Sequence, residues 1–213
     1  VEGVLALRGP KSWSKLKRMG YNGKQAPKFF DPLFLFPVFC HIEGMRSESV
    51  RNDLIIIPHY ADIHDSNFEA FKQQVPNTIS YVVGNINTGE NYENLISQIL
   101  SSKLVVSSSL HGCVLGLAFG KPTAWVEFSE NVIGSGFKFH DFFEGLGEEL
   151  SVTSHDLAKN VKFFSITDES RIKVWREILK CIPFIDVRRY EWLLQQLPSV
   201  LELRGLQHDN RKV

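Results

Sequence analysis

The sequence predicts an α/β domain in which a parallel sheet carries helices on both faces. Apolar runs of strand length occur at 54–57, 79–83, 103–107 and 123–127, and such runs are typical of strands buried on both sides. Segments with helical spacing of apolar residues separate these runs. Because alternating strands and helices require crossover connections, the helices are expected on both faces of the sheet.

The composition is that of a globular protein with balanced charge. The 213 residues suffice for one domain, or for one domain with part of another. Hydrophobic residues make up 43% of the chain, enough to form a core. Lys and Arg together number 24, as do Asp and Glu, which argues against nonspecific nucleic-acid binding and against adhesion to anionic membranes. No apolar run reaches the ~20 residues that a transmembrane helix needs.

The first short elements flank an Arg-Gly-Pro turn. Residues 4–7 are apolar and predict a strand that runs into the turn at 8–10. A helix is predicted at 11–19, with Ser12 as its N-cap and Gly20 as the residue that terminates it.

A polar segment separates these elements from the rest of the chain. Residues 33–36 lie between two prolines and predict a short strand. The polar, glycine-containing residues 41–52 predict an interdomain linker. The chain starts without an initiator Met and in a strand-like run, and we therefore expect it to be a fragment or a processed form.

Helices are predicted where apolar residues recur at steps of three and four, or where a short apolar segment ends at Gly or Pro. These segments are 67–75, 92–101, 111–119, 170–181 and 190–197. Residues 201–213 are predicted to form a polar tail.

The segment 105–112 has the pattern of an anion-binding site. An apolar strand ends there in Ser107, Ser108 and Ser109, and a buried helix follows. The first turn of a helix offers unpaired N–H groups and the positive end of the helix dipole. His111 can donate or accept a proton near neutral pH. The pattern therefore predicts a phosphate or carboxylate site beside a group that can transfer a proton.

Other polar residues are expected at the same edge of the sheet, where ligands of open α/β sheets bind. His59 follows the predicted strand 54–57. Arg8 ends the first strand, and a guanidinium suits phosphate or carboxylate. Lys138 and Lys121 are further candidate cations, and Lys121 is expected to be a solvated loop charge. A buried Asp141 needs a partner, for which Lys138 is the candidate.

The sequence lacks the motifs that indicate several other functional classes. Residues 134–136 are glycine-rich, but no GxGxxG or GxxxxGK[ST] pattern is present, so ATP and NAD sites are not expected. No GxSxG elbow supports a hydrolase. The pairs at 64–65 and 155–156 join His to Asp without a third ligand, so no metal site is expected. Three widely spaced cysteines predict free thiols in a reducing compartment: Cys40, Cys113 and Cys181.

Five segments in the same order resemble the polysaccharide pyruvyl transferase family. They are Arg-Gly-Pro at 8–10, Asp-Pro-Leu-Phe-Leu-Phe-Pro at 31–37, Pro-His-Tyr-Ala-Asp at 58–62, Ser-Ser-Ser-Leu-His-Gly at 107–112 with Phe-Gly-Lys-Pro at 119–122 after a small apolar helix, and Phe-Lys-Phe-His-Asp-Phe at 137–142. The resemblance covers roughly residues 4–147. Phe30 replaces the usual Gly before Asp-Pro, and Ser109 replaces the Arg that many members carry before Leu-His-Gly.

The resemblance implies a transferase that moves a pyruvyl ketal group from phosphoenolpyruvate to a sugar of a glycan. It also implies a GT-B-like protein with two Rossmann-like domains. This chain would then hold the end of the N-terminal domain at 1–40, the linker at 41–52, the C-terminal Rossmann-like domain at 53–200 and the polar tail at 201–213.

The resemblance also implies the site residues. The catalytic residues would be His111, as general acid, and Arg8. Residues binding the donor would be Ser107, Ser108, Ser109, Leu110, Gly112 and Lys138. Residues contacting the acceptor sugar would be His59, Tyr60 and Asp31. Arg8 and Lys138 are expected to face the cleft of His111 and to supply the positive charge that Ser109 does not.

Two other functions remain open at this stage. The chain could be a GT-B glycosyltransferase with a nucleotide-sugar donor whose diphosphate occupies the same helix start. It could also be a non-catalytic relative that binds a sugar or a protein. The expected partners are phosphoenolpyruvate and a glycan, with no cofactor, no metal and no nucleic acid. The expected location is the cytoplasm, or the Golgi lumen in a eukaryote.

Overall fold

The computed structural model describes residues 3–23, 25–46, 49–75, 78–80, 89–148 and 161–204. Its strands are β1 Ala6–Leu7, β2 Lys28–Phe29, β3 Asn52–Ile57, β4 Thr78–Ser80, β5 Ser102–Ser107 and β6 Thr123–Trp125. Its α-helices are α1 Pro10–Arg18, α2 Phe36–Ile42, α3 Ser66–Gln74, α4 Gly89–Leu100, α5 Leu110–Ala118, α6 Phe137–Gly145, α7 Asp168–Lys180 and α8 Val187–Val200.

A four-stranded parallel sheet in the order β4-β3-β5-β6 forms the centre of the molecule. Ile57 pairs with Ser107, and Ser107 pairs with Trp125. The carboxyl ends of β3, β5 and β6 therefore meet at one edge, which is where loops of an open parallel sheet bind ligands. The predicted strand 79–83 is described only as far as residue 80.

The two faces of this sheet pack against different helices because successive side chains of a strand point to opposite sides. Ile55, Ile57 and Val105 face a large core that includes residues of α4, α5, α7 and α8. Ile56 and Val106 face a smaller core with Phe residues of α3. The predicted α/β class, with parallel sheets and helices on both sides, is confirmed.

The N-terminal segment forms a small βαβ unit. β1 and β2 pair in parallel, with Leu7 opposite Phe29, and α1 connects them. The predicted N-cap Ser12 was wrong, because Gly9 holds that position and Pro10 is the first helical residue. A proline fits there since the first helical N–H has no partner within the helix.

Asp141 of α6 caps α1 from a distance in sequence. Its Oδ1 accepts a hydrogen bond from the backbone N–H of Ser12 at 3.0 Å, and its Oδ2 accepts one from the Ser12 hydroxyl. The buried carboxylate thus lies at the positive end of α1. The predicted partner Lys138 was wrong, and the partner is Ser12.

Residues predicted as a strand at 33–36 instead form a 3₁₀ helix, Pro32–Leu35, that leads into α2. The Asp31 side chain accepts a hydrogen bond from the Leu33 N–H at 3.0 Å, which caps this helix. The indole of Trp175 in α7 donates to the carbonyl of Phe34 at 2.8 Å. Local capping and this buried contact override the apolar strand pattern.

Two buried cations close helix ends. Lys121 donates from Nζ to the Leu100 carbonyl at the end of α4, at 2.8 Å. Arg171 donates to the Ala118 carbonyl at the end of α5, at 3.1 Å. The last carbonyls of a helix lack partners within it and favour nearby positive charge. The expectation that Lys121 is a solvated loop charge was wrong, since only 1% of it is exposed.

The predicted division into two domains stays a prediction. Phe34 and Val38, which precede the predicted linker, pack in the same core as Leu115 and Trp175. Residues 201–204 form a 3₁₀ helix, and the rest of the predicted tail lies outside the described residues, as does the 155–156 pair. The three cysteines are free thiols. In the described part of the chain, no helix has the length and apolar character to cross a membrane.

We expect Asp141→Asn to lower the free energy of unfolding by about 1–3 kcal/mol, because the substitution weakens two hydrogen bonds to a buried carboxylate. Urea denaturation measures this. Ser12→Ala should also destabilise, and the double variant should lose less than the sum of the two.

Asp53→Asn serves as a matched control. The side chain of Asp53 is 50% exposed and forms a surface ion pair with Lys103, so weakening this pair should cost no more than about 1 kcal/mol. Equal effects at the two positions would contradict a capping role for Asp141.

Candidate functional site

A cleft of about 320 Å³ lies at the carboxyl edge of the sheet. Residues from four places in the chain line it: Arg8 after β1, Pro58, His59 and Tyr60 after β3, Ser109, Leu110 and His111 at the start of α5, and Lys138 in the first turn of α6. The structure thus brings together the sequence-predicted residues Arg8, His59, Tyr60, Ser109, Leu110, His111 and Lys138. Their roles stay predictions.

The start of α5 offers donors to the cleft. Ser109 occupies the N-cap position with φ −99° and ψ 131°, but its side chain makes no capping hydrogen bond. Gly112 lets the helix lie directly on the sheet, since a Cβ there would fall 2.3 Å from the Ser107 Oγ. The N–H groups of the first turn and the positive helix end are therefore available to an anion.

Only one of the three serines lines the cleft. The Ser107 hydroxyl is buried, lies 2.6 Å from the Ile57 carbonyl oxygen and accepts the Ser109 N–H at 3.0 Å. The Ser108 hydroxyl is also buried and accepts the His59 N–H at 2.8 Å. These two hydroxyls join the ends of β3 and β5, so they position the cleft instead of lining it. Gly112 likewise packs behind it.

Arg8 is held by a carboxylate behind the cleft. Its Nε lies 3.3 Å from Asp31 Oδ2, and the two side chains are 37% and 8% exposed. Because β1 and β2 are parallel neighbours, the residues after their carboxyl ends come together. Asp31 does not line the cleft and instead orients Arg8. Its predicted contact with the acceptor stays untested.

The cations of the cleft act on one another. Burial lowers the pKa of Lys138, and the nearby Arg8 lowers it further. Burial also lowers the pKa of His59, with a second contribution from Lys138. The His59 Nδ1 accepts the Ala61 N–H at 3.2 Å, so the neutral ring carries its proton on Nε2. The lowered pKa and this contact both favour the neutral ring, with Nε2–H as its hydrogen-bond donor.

His111 is exposed on the first turn of α5 and lines the same cleft. No carboxylate is among the lining residues that the structure describes. Such a set of cations, helix N–H groups and imidazoles can bind a polyanion and transfer a proton to it. The described ranges contain no group of three His, Cys, Asp or Glu side chains that could hold a metal ion.

Asp62 lies buried beside the cleft without lining it. Its Oδ1 accepts a hydrogen bond from the Ser129 hydroxyl, whereas its Oδ2 has no hydrogen-bond partner among the described residues. Its charge opposes the lowering of the pKa of both His59 and Lys138. Asp62 ends the Pro-His-Tyr-Ala-Asp segment, and its spacing from His59 gave no signal that its side chain would be buried.

The titration of His59 tests this electrostatic arrangement. We expect the His59 pKa to lie below its ordinary value, and Lys138→Met to raise it by removing a neighbouring positive charge. NMR titration of the His59 ring measures both. Lys162→Met, a loss of the same charge outside the cleft, should leave the His59 pKa unchanged. An unaltered pKa in Lys138→Met would contradict the proximity of the two groups.

Comparison with known proteins identifies the family. A family model described as polysaccharide pyruvyl transferase matches residues 3–130, which is more than half of the chain. An uncharacterized protein, L143 of Acanthamoeba polyphaga mimivirus, is 34% identical over 120 residues. That match covers 56% of this chain and 40% of the relative. No solved structure matches.

The family match includes Arg8, His59, Ser109 and His111, whereas Lys138 lies beyond it. The motifs that carried the resemblance in the sequence thus fall largely within the matched segment. The chain belongs to the polysaccharide pyruvyl transferase family.

Proposed function

We propose that the protein transfers a pyruvyl ketal group from phosphoenolpyruvate to a sugar of a glycan. The observation that carries this proposal is the convergence of Arg8, Lys138, His111 and the uncapped start of α5 on one cleft. Phosphoenolpyruvate bears a phosphate and a carboxylate. A cleft with cations and no lining carboxylate among its described residues suits such a donor.

Each anionic group of the donor has a partner in this arrangement. The planar guanidinium of Arg8 matches a carboxylate or a phosphate with two parallel hydrogen bonds. The start of α5 suits the phosphate, as helix N-termini commonly do. Many members of the family carry an arginine at the position of Ser109. In this chain Lys138, from α6, supplies the second positive charge instead.

The chemistry requires one acid and yields a balanced reaction. His111 gives a proton to the CH₂ carbon of phosphoenolpyruvate, and a sugar hydroxyl attacks the cation that forms at the adjacent carbon. The C–O bond to phosphate then breaks, and a second hydroxyl of the sugar closes the ketal. Of the two hydroxyl protons released, one returns to His111 and one leaves with phosphate. The products are the pyruvyl ketal and inorganic phosphate.

The two imidazoles have different environments and therefore different roles. His111 is exposed in the cleft and is proposed as the general acid. His59 has a lowered pKa and a Nδ1 that already accepts a hydrogen bond. Its Nε2–H is proposed to donate to an oxygen of the donor or of the acceptor without changing protonation.

The proposal extends to the surroundings of the site. We place the cleft opposite a second Rossmann-like domain, as in GT-B enzymes, and assign the protein to glycan modification such as exopolysaccharide synthesis. The matched segment covers 40% of the mimivirus relative. A compartment that supplies phosphoenolpyruvate, the cytoplasm or a Golgi lumen, is part of the same proposal.

Calorimetric titration tests the donor. We expect phosphoenolpyruvate to bind the intact protein and Arg8→Lys to weaken binding on the order of tenfold or more, because a point charge replaces a bidentate contact. Arg18→Lys, an exposed change of the same kind in α1, should bind normally. Binding of UDP-sugars without binding of phosphoenolpyruvate would replace this proposal with a glycosyltransferase.

Removal of the acid tests catalysis. His111→Ala should lower phosphate release from phosphoenolpyruvate, assayed with a glycan panel, by ~10²–10⁴-fold while the protein stays folded. His64→Ala, at an exposed position outside the cleft, should retain activity. Full activity of His111→Ala would remove this residue from the mechanism. Donor binding by the wild type without phosphate release on any glycan would indicate a non-catalytic relative.

A further inference from the structure

A second cavity, of about 470 Å³, lies at the same edge of the sheet beyond β6. Its lining includes Trp125, Glu127, Ser129, Glu130 and His140. This volume falls in the range of small-molecule sites. No sequence motif pointed to it, since its polar groups are scattered over a loop and a helix.

The second cavity neighbours the donor cleft. Ser107, just before the start of α5, pairs with Trp125 in the adjacent strand β6. Lys138 lines the cleft and His140 lines the cavity, so the first turn of α6 separates the two. The buried Asp62 connects the two. The Ser129 hydroxyl of the second cavity donates to the Asp62 carboxylate, and the charge of Asp62 acts on Lys138 of the cleft.

One wall of the second cavity is apolar and firmly placed. Trp125 is buried and stacks on Phe139, with ring centres 4.4 Å apart and an angle of 11° between the planes. Gly136 has φ +71°, and a Cβ there would fall 2.7 Å from the indole. Glycine is needed at this position both for its backbone and for the close approach to the ring.

The polar lining differs in charge from that of the donor cleft. Glu127 and Glu130 face the second cavity, and no Lys or Arg is among its described lining residues. The Ser129 oxygen accepts the Asn131 N–H at 3.0 Å and keeps one lone pair for a further donor. This lining accepts hydrogen bonds, favours hydroxyl donors and disfavours anions.

We infer that the second cavity binds an uncharged pyranose of the acceptor glycan. Sugar hydroxyls donate to Glu127, Glu130 and Ser129, while the apolar side of the ring packs near the Trp125 wall. A uronic acid is disfavoured because its carboxylate meets two others. The assignment as acceptor rests on the proposed pyruvyl transfer, whereas binding of an uncharged sugar does not.

Saturation-transfer NMR on the intact protein tests whether an uncharged sugar binds, with inorganic phosphate present at saturation. The probes are the methyl glycosides of glucose, mannose and galactose, the three corresponding uronides, and uridine. We expect at least one uncharged glycoside to bind and all uronides to bind more weakly. Absence of binding by all three uncharged glycosides, or tighter binding by a uronide or by uridine, overturns the inference.

Variants locate the bound sugar. Glu127→Gln should weaken binding of the uncharged glycoside on the order of tenfold, because a charged acceptor is lost. Glu130→Lys changes an exposed residue, so folding should persist, and it should shift preference toward the uronide. Glu191→Lys makes the same charge change on α8 and should alter neither the binding of the uncharged glycoside nor the preference between glycoside and uronide. Unchanged binding in both cavity variants overturns the inference.

Different results would refute the proposed donor site and the proposed sugar site. If phosphoenolpyruvate does not bind but the glycoside does, in a manner sensitive to Glu127→Gln, pyruvyl transfer is wrong and the sugar site stands. If phosphoenolpyruvate binds and releases phosphate with a glycan, while Glu127→Gln leaves the KM for that glycan unchanged, the sugar site is wrong and pyruvyl transfer stands.

Discussion

The contact between Ser12 and the carboxylate of Asp141 determines where the candidate site can form. It joins the start of α1 to the middle of α6, two helices that are 129 residues apart at this contact. Arg8 precedes α1 and Lys138 lies one turn before Asp141, so the same contact brings both cations to one cleft. A carboxylate at a helix start is favourable by itself, and here it also fixes the relation of a small βαβ unit to the main sheet.

Close backbone approach makes this docking possible. A Cβ at Gly9 would fall 1.7 Å from the backbone oxygen of Asp141, and one at Gly145 would fall 2.8 Å from that of Arg8. Gly9 of the Arg-Gly-Pro segment is thus needed because α6 lies against it, whatever residue the turn itself would accept. This packing fixes the position of the Arg8 backbone relative to the cleft, and the ion pair with Asp31 fixes the orientation of the Arg8 side chain.

The sequence predicted the parallel sheet and most residues of the cleft because both follow from local patterns. Apolar runs mark buried strands, and the residues after neighbouring strands, such as His59 and His111, must meet at one edge. The 3₁₀ helix, the capping role of Asp141 and the burial of Lys121 depend on partners distant in sequence, which no local pattern reveals. For the same reason the sequence could not distinguish Ser109, which lines the cleft, from Ser107 and Ser108, which join β3 to β5 behind it.

The neighbouring cavities differ in charge, and Asp62 is the buried charge between them. Its carboxylate opposes the lowering of the Lys138 pKa that burial and Arg8 produce, which helps to keep the lysine charged beside another cation. The one hydrogen-bond donor to the Asp62 carboxylate among the described residues is Ser129, a residue of the second cavity. A ligand hydroxyl that donates to the remaining lone pair of Ser129 would polarise the hydrogen bond from Ser129 to Asp62 and so alter the field at Lys138. The contact thereby gives the two sites a physical route through which occupancy of one can influence the other.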